Sequence, residues 1–287
     1  MSYKKGAVAI PFLITFLVSL VLFGATAWYM YRITVDDDAP TQAVSSGDTA
    51  IGITDELNHA LLFAYDNGTN DTDLAFVVVY CMPEDERTLS IPVPSKTMCT
   101  TDMGMQTLAQ VYRSSGMGAV ANAISNVIGL EVSRYMLLDS YGLEKLHSIM
   151  GGVTVNVPTD YAELASGDKS VNSEQFSDLI TYPFYTGGED FRTKFIGIAV
   201  QNMINTGFGE SLSARLKTSY EALAAVCETN ITATDYANYQ EAAEHLVAKG
   251  QGTCVLIIPT GTWSGDSFAF DASFGETVKE MWIAGDE

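Results

Sequence analysis

The sequence predicts an α/β fold: a central mixed β-sheet flanked by helices, entered from a single N-terminal membrane-spanning helix. Three observations predict it. Residues 133–158 read as strand, helix and strand in one unbroken run. Leu74 to Tyr80 is a continuous apolar stretch, the mark of a strand buried on both faces. Gly6 to Tyr31 carries no charged residue and is long enough to cross a bilayer.

Taken in order, residues 1–5 form a cytoplasmic tail, because Lys4 and Lys5 precede the apolar segment and favour an inside N-terminus. Residues 6–31 are the transmembrane helix, with Trp28, Tyr29 and Tyr31 where an interfacial aromatic belt belongs. A cleaved signal peptide ending at Ala25-Thr26-Ala27 is the competing reading. Residues 32–50 are a polar extracytoplasmic linker. Residues 51–287 form the extracytoplasmic domain, opening on an ambiguous segment, 51–65, that reads as a short helix.

Thr88 to Val93 pairs with the 74–80 strand across a polar turn, and Thr107 to Tyr112 and Met117 to Ile128 are helical by period. Ser133 to Leu138 is a strand, and Asp139 or Ser140 caps the helix that follows. Leu143, Leu146, Ile149 and Met150 mark that helix's buried face, and Gly151-Gly152 stops it. Val153, Val155 and Val157 alternate with Thr154 and Asn156, giving a strand ended by Pro158, so the whole run reads as a crossover unit. Residues 160–173 are a loop, 179–185 a strand, 191–205 a helix, 211–227 and 235–248 helices, and 253–259 a strand.

Across 287 residues, 47% hydrophobic and 17% charged, there is material for a sizeable core. The formal charge of −20 argues against nucleic-acid binding, which needs a basic footprint. Cys81, Cys99, Cys227 and Cys254 have no CxxC spacing, so a zinc site has no support. Cys81 with Cys99 and Cys227 with Cys254 close the shortest disulfide loops, and buried free thiols are the alternative. There is no GxSxG or HExxH motif, which removes the support for a serine hydrolase or zinc protease.

Asn126-Val127-Ile128-Gly129, Arg134 to Asp139 and Gly151 to Pro158, in this order and spacing, resemble the LytR-CpsA-Psr family of Gram-positive cell-envelope assembly. The resemblance extends from about Thr72 to Asn205. It implies a membrane-anchored phosphotransferase whose greasy cavity holds a polyprenyl chain beside the sheet. In that family arginines and a carboxylate-bound divalent metal, here Mg2+, hold the pyrophosphate while a glycopolymer passes to peptidoglycan. Arginine suits the task because its fork meets phosphate oxygens two at a time.

Residue by residue, Asp73 in Thr72-Asp73-Leu74 matches the metal-associated carboxylate; a strand-start Asp bonding its own turn is the plain alternative. The family's Ile-Pro-Arg-Asp is here Ile91-Pro92-Val93-Pro94, with Lys96 close behind as a point charge or simply a solvated lysine. Ser173-Glu174-Gln175 resembles the turn before an arginine-bearing strand, but Thr181 and Pro183 stand near the arginine positions. Glu189 and Arg192 fit the first half of the family's Asp-x-x-Arg-x-x-Arg-Gln helix entry; Phe195 replaces the second arginine beside Lys194. The resemblance therefore assigns catalysis to Asp73 and Arg192, substrate contact to Lys96, Lys194 and Glu189, and metal to Asp73. A relative that binds polyprenyl lipid or envelope polymer without turnover is the other reading, since losing one bidentate arginine costs a phosphoryl-transfer site orders of magnitude in rate.

Overall fold

The computed structural model describes residues 53–68 and 74–283. The expected cytoplasmic tail, membrane helix and linker, and Asp73, lie outside the described residues. Among those described, no helix is long and apolar enough to cross a membrane.

A six-stranded mixed sheet forms the centre. It contains β1 (His59–Asp66), β2 (Leu74–Met82), β3 (Arg87–Val93), β6 (Arg134–Leu138), β9 (Glu228–Thr229) and β10 (Cys254–Leu256), in the order β10-β3-β2-β1-β6-β9. β1/β2, β2/β3 and β6/β9 are antiparallel, whereas β1/β6 and β3/β10 are parallel. The segment expected as a short helix at 51–65 instead makes one 3-10 turn, Asp55–Leu57, and then becomes β1. Its alternation of buried Ala60, Leu62 and Ala64 with half-buried Leu61 and Phe63 fits a pleat with one densely packed face.

The register puts Leu74, Phe76, Val78, Tyr80 and Met82 on one face of β2 and Ala75, Val77, Val79 and Cys81 on the other. The first face packs under α1 (Leu108–Ile128) and α8 (Phe274–Ile283). α1 opens with a reciprocal Thr107/Gln110 capping box and kinks at Gly116, whose φ of 76° only glycine adopts at little cost. The two helices expected at 107–112 and 117–128 are the two limbs of this kinked element. Two ribbons, β4 (Met98–Thr101) with β5 (Gly104–Thr107) and β11 (Gly261–Ser264) with β12 (Ser267–Phe270), lie beyond the main sheet.

The second face is covered by α2 (Ser140–Met150), α3 (Ser173–Thr181), α4 (Gly188–Gly207), α5 (Glu210–Ser213), α6 (Leu216–Ala224) and α7 (Ala233–Lys249). α2 is capped by Asp139, whose side chain accepts from the Gly142 N–H, and ends at Gly151 in a left-handed turn.

Other expectations change as well. β7 (Val153–Val157) is a strand, but it pairs antiparallel with β8 (Gly167–Val171), outside the main sheet, so β6-α2-β7 is not a crossover. The valine alternation fixes which side of the strand is buried and leaves its partner open; residues 167–171, expected as loop, return alongside it. The strand expected at 179–185 is the end of α3 and the extended chain after it. Asn172 and Gln175 cap α3 reciprocally, and Phe176, Leu179 and Ile180 bury its inner face, so Ser173-Glu174-Gln175 is a first helical turn. All four cysteines are free, which overturns both suggested disulfides.

Candidate functional site

Between the second sheet face and its helices lies a cavity of about 600 Å³. Its floor is Phe63, Val77, Val79 and Met136, its walls Leu143 and Ile149 of α2, Phe176 and Ile180 of α3, Ile196, Val200 and Met203 of α4, and Leu216 and Leu223 of α6. The lining is overwhelmingly aliphatic and aromatic. Cys81 also faces it, which reconciles a partly accessible thiol with a pKa that burial pushes up to about 12. The family resemblance implies such a space, but the residue pattern alone does not show it, because cavity-lining and core residues are of the same types.

At the end of the cavity marked by Tyr65, Ala75 and Ile180, several of the residues singled out by sequence converge. Arg192, in the first turns of α4, is 2% exposed. Its Nε donates to Glu189 Oε2 at 2.8 Å, and Nη2 donates to Glu189 Oε1 at 2.6 Å. Nη1 donates to the Ile180 carbonyl at 2.9 Å and Nη2 also to the Leu74 carbonyl at 3.2 Å. The guanidinium thus ties α3, α4 and the start of β2 together from behind the cavity wall.

Glu189 Oε1 also accepts from Ser95 Oγ at 3.3 Å, which brings the segment after β3, and with it Lys96, to the same corner. Lys96 is half-buried and its carbonyl accepts from the Phe268 N–H. Lys194 points elsewhere: its Nζ is 2.6 Å from Asp190, which also accepts from Trp263 Nε1. Both members of the Lys194–Asp190 pair are close to half exposed, so it adds little stability. Glu189, Arg192, Ser95 and the neighbour of Asp73 are therefore brought together, and Lys194 is not.

The described residues do not fit a divalent cation at this corner. Both Glu189 oxygens already accept from Arg192, and no group of three or more His, Cys, Asp or Glu among the described residues could hold a metal. Beside Thr181 and Pro183, where the resemblance expects arginines, the chain presents aromatic rings. Tyr182, Phe184, Tyr185 and Phe191 form a chain of edge and tilted contacts, and Phe184 is 76% exposed.

The model of the LytR_cpsA_psr family matches residues 53–178. Among solved structures, a putative transcription regulator from Eubacterium siraeum superposes with a TM-score of 0.71 at 20% identity, over 84% of this chain and 97% of that one. B. subtilis TagV gives a TM-score of 0.62 at 18% identity, over 79% of this chain and 96% of that one. TagT bound to LI-WTA gives 0.59 at 11% identity, over 79% and 90%. Identities this low speak to the fold. No curated protein matches the chain. Family match, mixed sheet and helical cover agree: over residues 53–178 the chain matches the LytR-CpsA-Psr family model, and its fold is that of the solved structures it superposes on.

Proposed function

We propose that this chain is a membrane-anchored, extracytoplasmic cell-envelope protein that holds the hydrocarbon chain of a polyprenyl-linked glycopolymer. The observation that carries this reading is the apolar cavity of about 600 Å³ under α2, α4 and α6, large enough for several isoprene units, with charged side chains only at Glu131, Arg134 and Asp235 among the described residues that line it. The apolar, uncharged segment 6–31 supports a single-pass anchor with the N-terminus in the cytoplasm. The relation to TagT, solved with LI-WTA, supports wall polymer as the class of cargo, with peptidoglycan as the partner.

Transfer of the polymer is the second reading. What favours it is the meeting of Glu189, Arg192 and Ser95 beside the start of β2, next to Asp73. What weighs against it is the state of the guanidinium, enclosed and bonded to protein acceptors, with Val93, Pro94, Thr181, Pro183 and Phe195 at the family's polar positions. Mg2+ belongs to this second reading and rests on Asp73 alone.

The test uses the full chain in detergent with geranylgeranyl pyrophosphate, with and without magnesium, beside Val200→Trp and Asp73→Ala. The binding reading expects saturable binding, weakened about tenfold or more by filling the cavity with Val200→Trp and unchanged by Asp73→Ala, with no phosphate or pyrophosphate released. Metal-dependent release abolished by Asp73→Ala establishes transfer instead. No saturable binding by the native chain overturns both.

A further inference from the structure

The cavity has a second end, where β1 starts and β2 finishes, and it is chemically unlike the first. Asn58, His59, Arg134, Tyr236 and Tyr239 line it. Arg134 is the only arginine or lysine on the cavity wall among the described residues. Its fork is closed on Asp235, with Nε donating to Oδ2 at 3.0 Å and Nη2 to Oδ1 at 2.8 Å, so its charge is already matched. Glu131, exposed on the same rim, adds a negative charge.

The remaining groups are neutral and incompletely bonded. His59 Nδ1 lies 2.8 Å from the Leu57 carbonyl, which can only accept, so Nδ1 carries the proton and Nε2 is left as an acceptor. Burial lowers the pKa of His59 and keeps the ring in this neutral form. The ring is held against Tyr239, centroids 4.6 Å apart. The Tyr236 hydroxyl and Asn58 Oδ1 are both shielded from solvent and have no hydrogen-bond partner among the described residues. Tyr236 is held in place by parallel stacking on Tyr220, centroids 4.5 Å apart at 12°. Unpaired polar atoms at the end of an apolar cavity are costly to the fold and call for a partner.

We propose that this end is a second head-group site, which takes a single-chain amphiphile with an uncharged hydroxyl head and lays its hydrocarbon toward Tyr65. A hydroxyl accepts from Tyr236 and donates to Asn58 Oδ1 or His59 Nε2. An anionic head meets Glu131 and an arginine already occupied. The inference rests on the reading that the cavity accepts hydrocarbon. Such a ligand shares the space with a lipid whose head lies at the Arg192 end, so the two exclude one another.

The test uses the full chain in nanodiscs and three photoreactive C10 probes carrying the same diazirine: the alcohol, the alkane and the phosphate monoester. Labelling of α4 peptides is followed against probe concentration, corrected for partition into the bilayer. The alcohol is expected to half-saturate at about tenfold lower concentration than the other two, the worth of one well-made hydrogen bond to a buried group. Tyr236→Phe is expected to erase that advantage, leave alkane labelling unchanged and leave the melting temperature no lower than native. Retained alkane labelling serves as the folding control for the variant, and the ranking of the three probes on the native chain needs no variant. Equal labelling by alcohol and alkane, preference for the phosphate, or an alcohol advantage untouched by Tyr236→Phe overturns the second site alone. Failure of all three probes to label the cavity overturns the hydrocarbon reading together with it.

Discussion

Arg192 shows how one residue can keep its place in a motif while its environment redefines it. The spacing Glu189-x-x-Arg192 is legible in sequence, because both residues stand in the first turns of one helix. The burial is not legible, because the carbonyls that complete it come from Ile180 and from Leu74, the latter 118 positions away. Removing the guanidinium leaves Glu189 with only the Ser95 hydroxyl as a donor among the bonds described above and takes a donor from two carbonyls inside the protein. Arg192→Met is expected to cost about 3–5 kcal/mol in urea unfolding, the range for breaking a buried pair from one side. Arg192→Lys is expected to recover little of it, since a point charge cannot reach Glu189, Ile180 and Leu74 together. A change below about 1 kcal/mol for Arg192→Met would mean that the guanidinium is free to serve a ligand.

At the level of elements, α4 is the pivot, because it reaches the Arg192 corner, the cavity wall and the sheet at once. Its approach to β3 and β10 depends on Gly197: a Cβ there would stand 2.6 Å from both Pro92 Cγ and Leu256 Cδ1. Gly197→Ala is therefore expected to destabilise by about 1–3 kcal/mol through overpacking, and to reduce hydrocarbon binding by tilting the wall that carries Ile196 and Val200. Calorimetry and probe binding on one preparation check both effects. The period of α4 was plain in sequence, as were the unbroken run of β2 and the Asp139-to-Gly151 helix. What failed was partner choice and one element type. β7 declares its buried side but not its neighbour, which β8 supplies from a stretch with no apolar pattern of its own. In residues 173–185 the aromatic run Tyr182-Pro183-Phe184-Tyr185 outweighed the capping pair Asn172 and Gln175, which was the available signal for a helix.

Across the described domain, hydrophobic clusters lie on both faces of one sheet, and no covalent cross-link joins them among the described residues. Stability then depends on thiols that remain protonated. Burial pushes Cys81 and Cys254 up to about 12, and burial with Asp139 nearby pushes Cys227 up to about 11, from an ordinary value of 9.0. A folded-state pKa raised in this way contributes stability that is complete below pH 9 and is lost as the pH climbs toward the folded values, because the unfolded chain ionises first. With a reductant present throughout, the urea midpoint is expected to fall between pH 9 and pH 11, and a Cys81→Ala/Cys254→Ala variant is expected to fall less. A midpoint that drops at pH 7 on adding the reductant would instead reveal a disulfide.

The two faces of β2 carry a consequence for how this chain can change over time. Along its nine residues run two interleaved texts: Leu74, Phe76, Val78 and Met82 answer to the packed helix α1, while Ala75, Val77, Val79 and Cys81 answer to whatever enters the cavity. The first set is constrained by volume. The second is constrained only to stay apolar, so alanine, valine and cysteine can exchange there and reshape the space without disturbing the frame. A lineage can thus retune its cargo by drift at alternate letters of one strand. An inserted or deleted residue, in contrast, would swap the two texts and lose frame and cavity together.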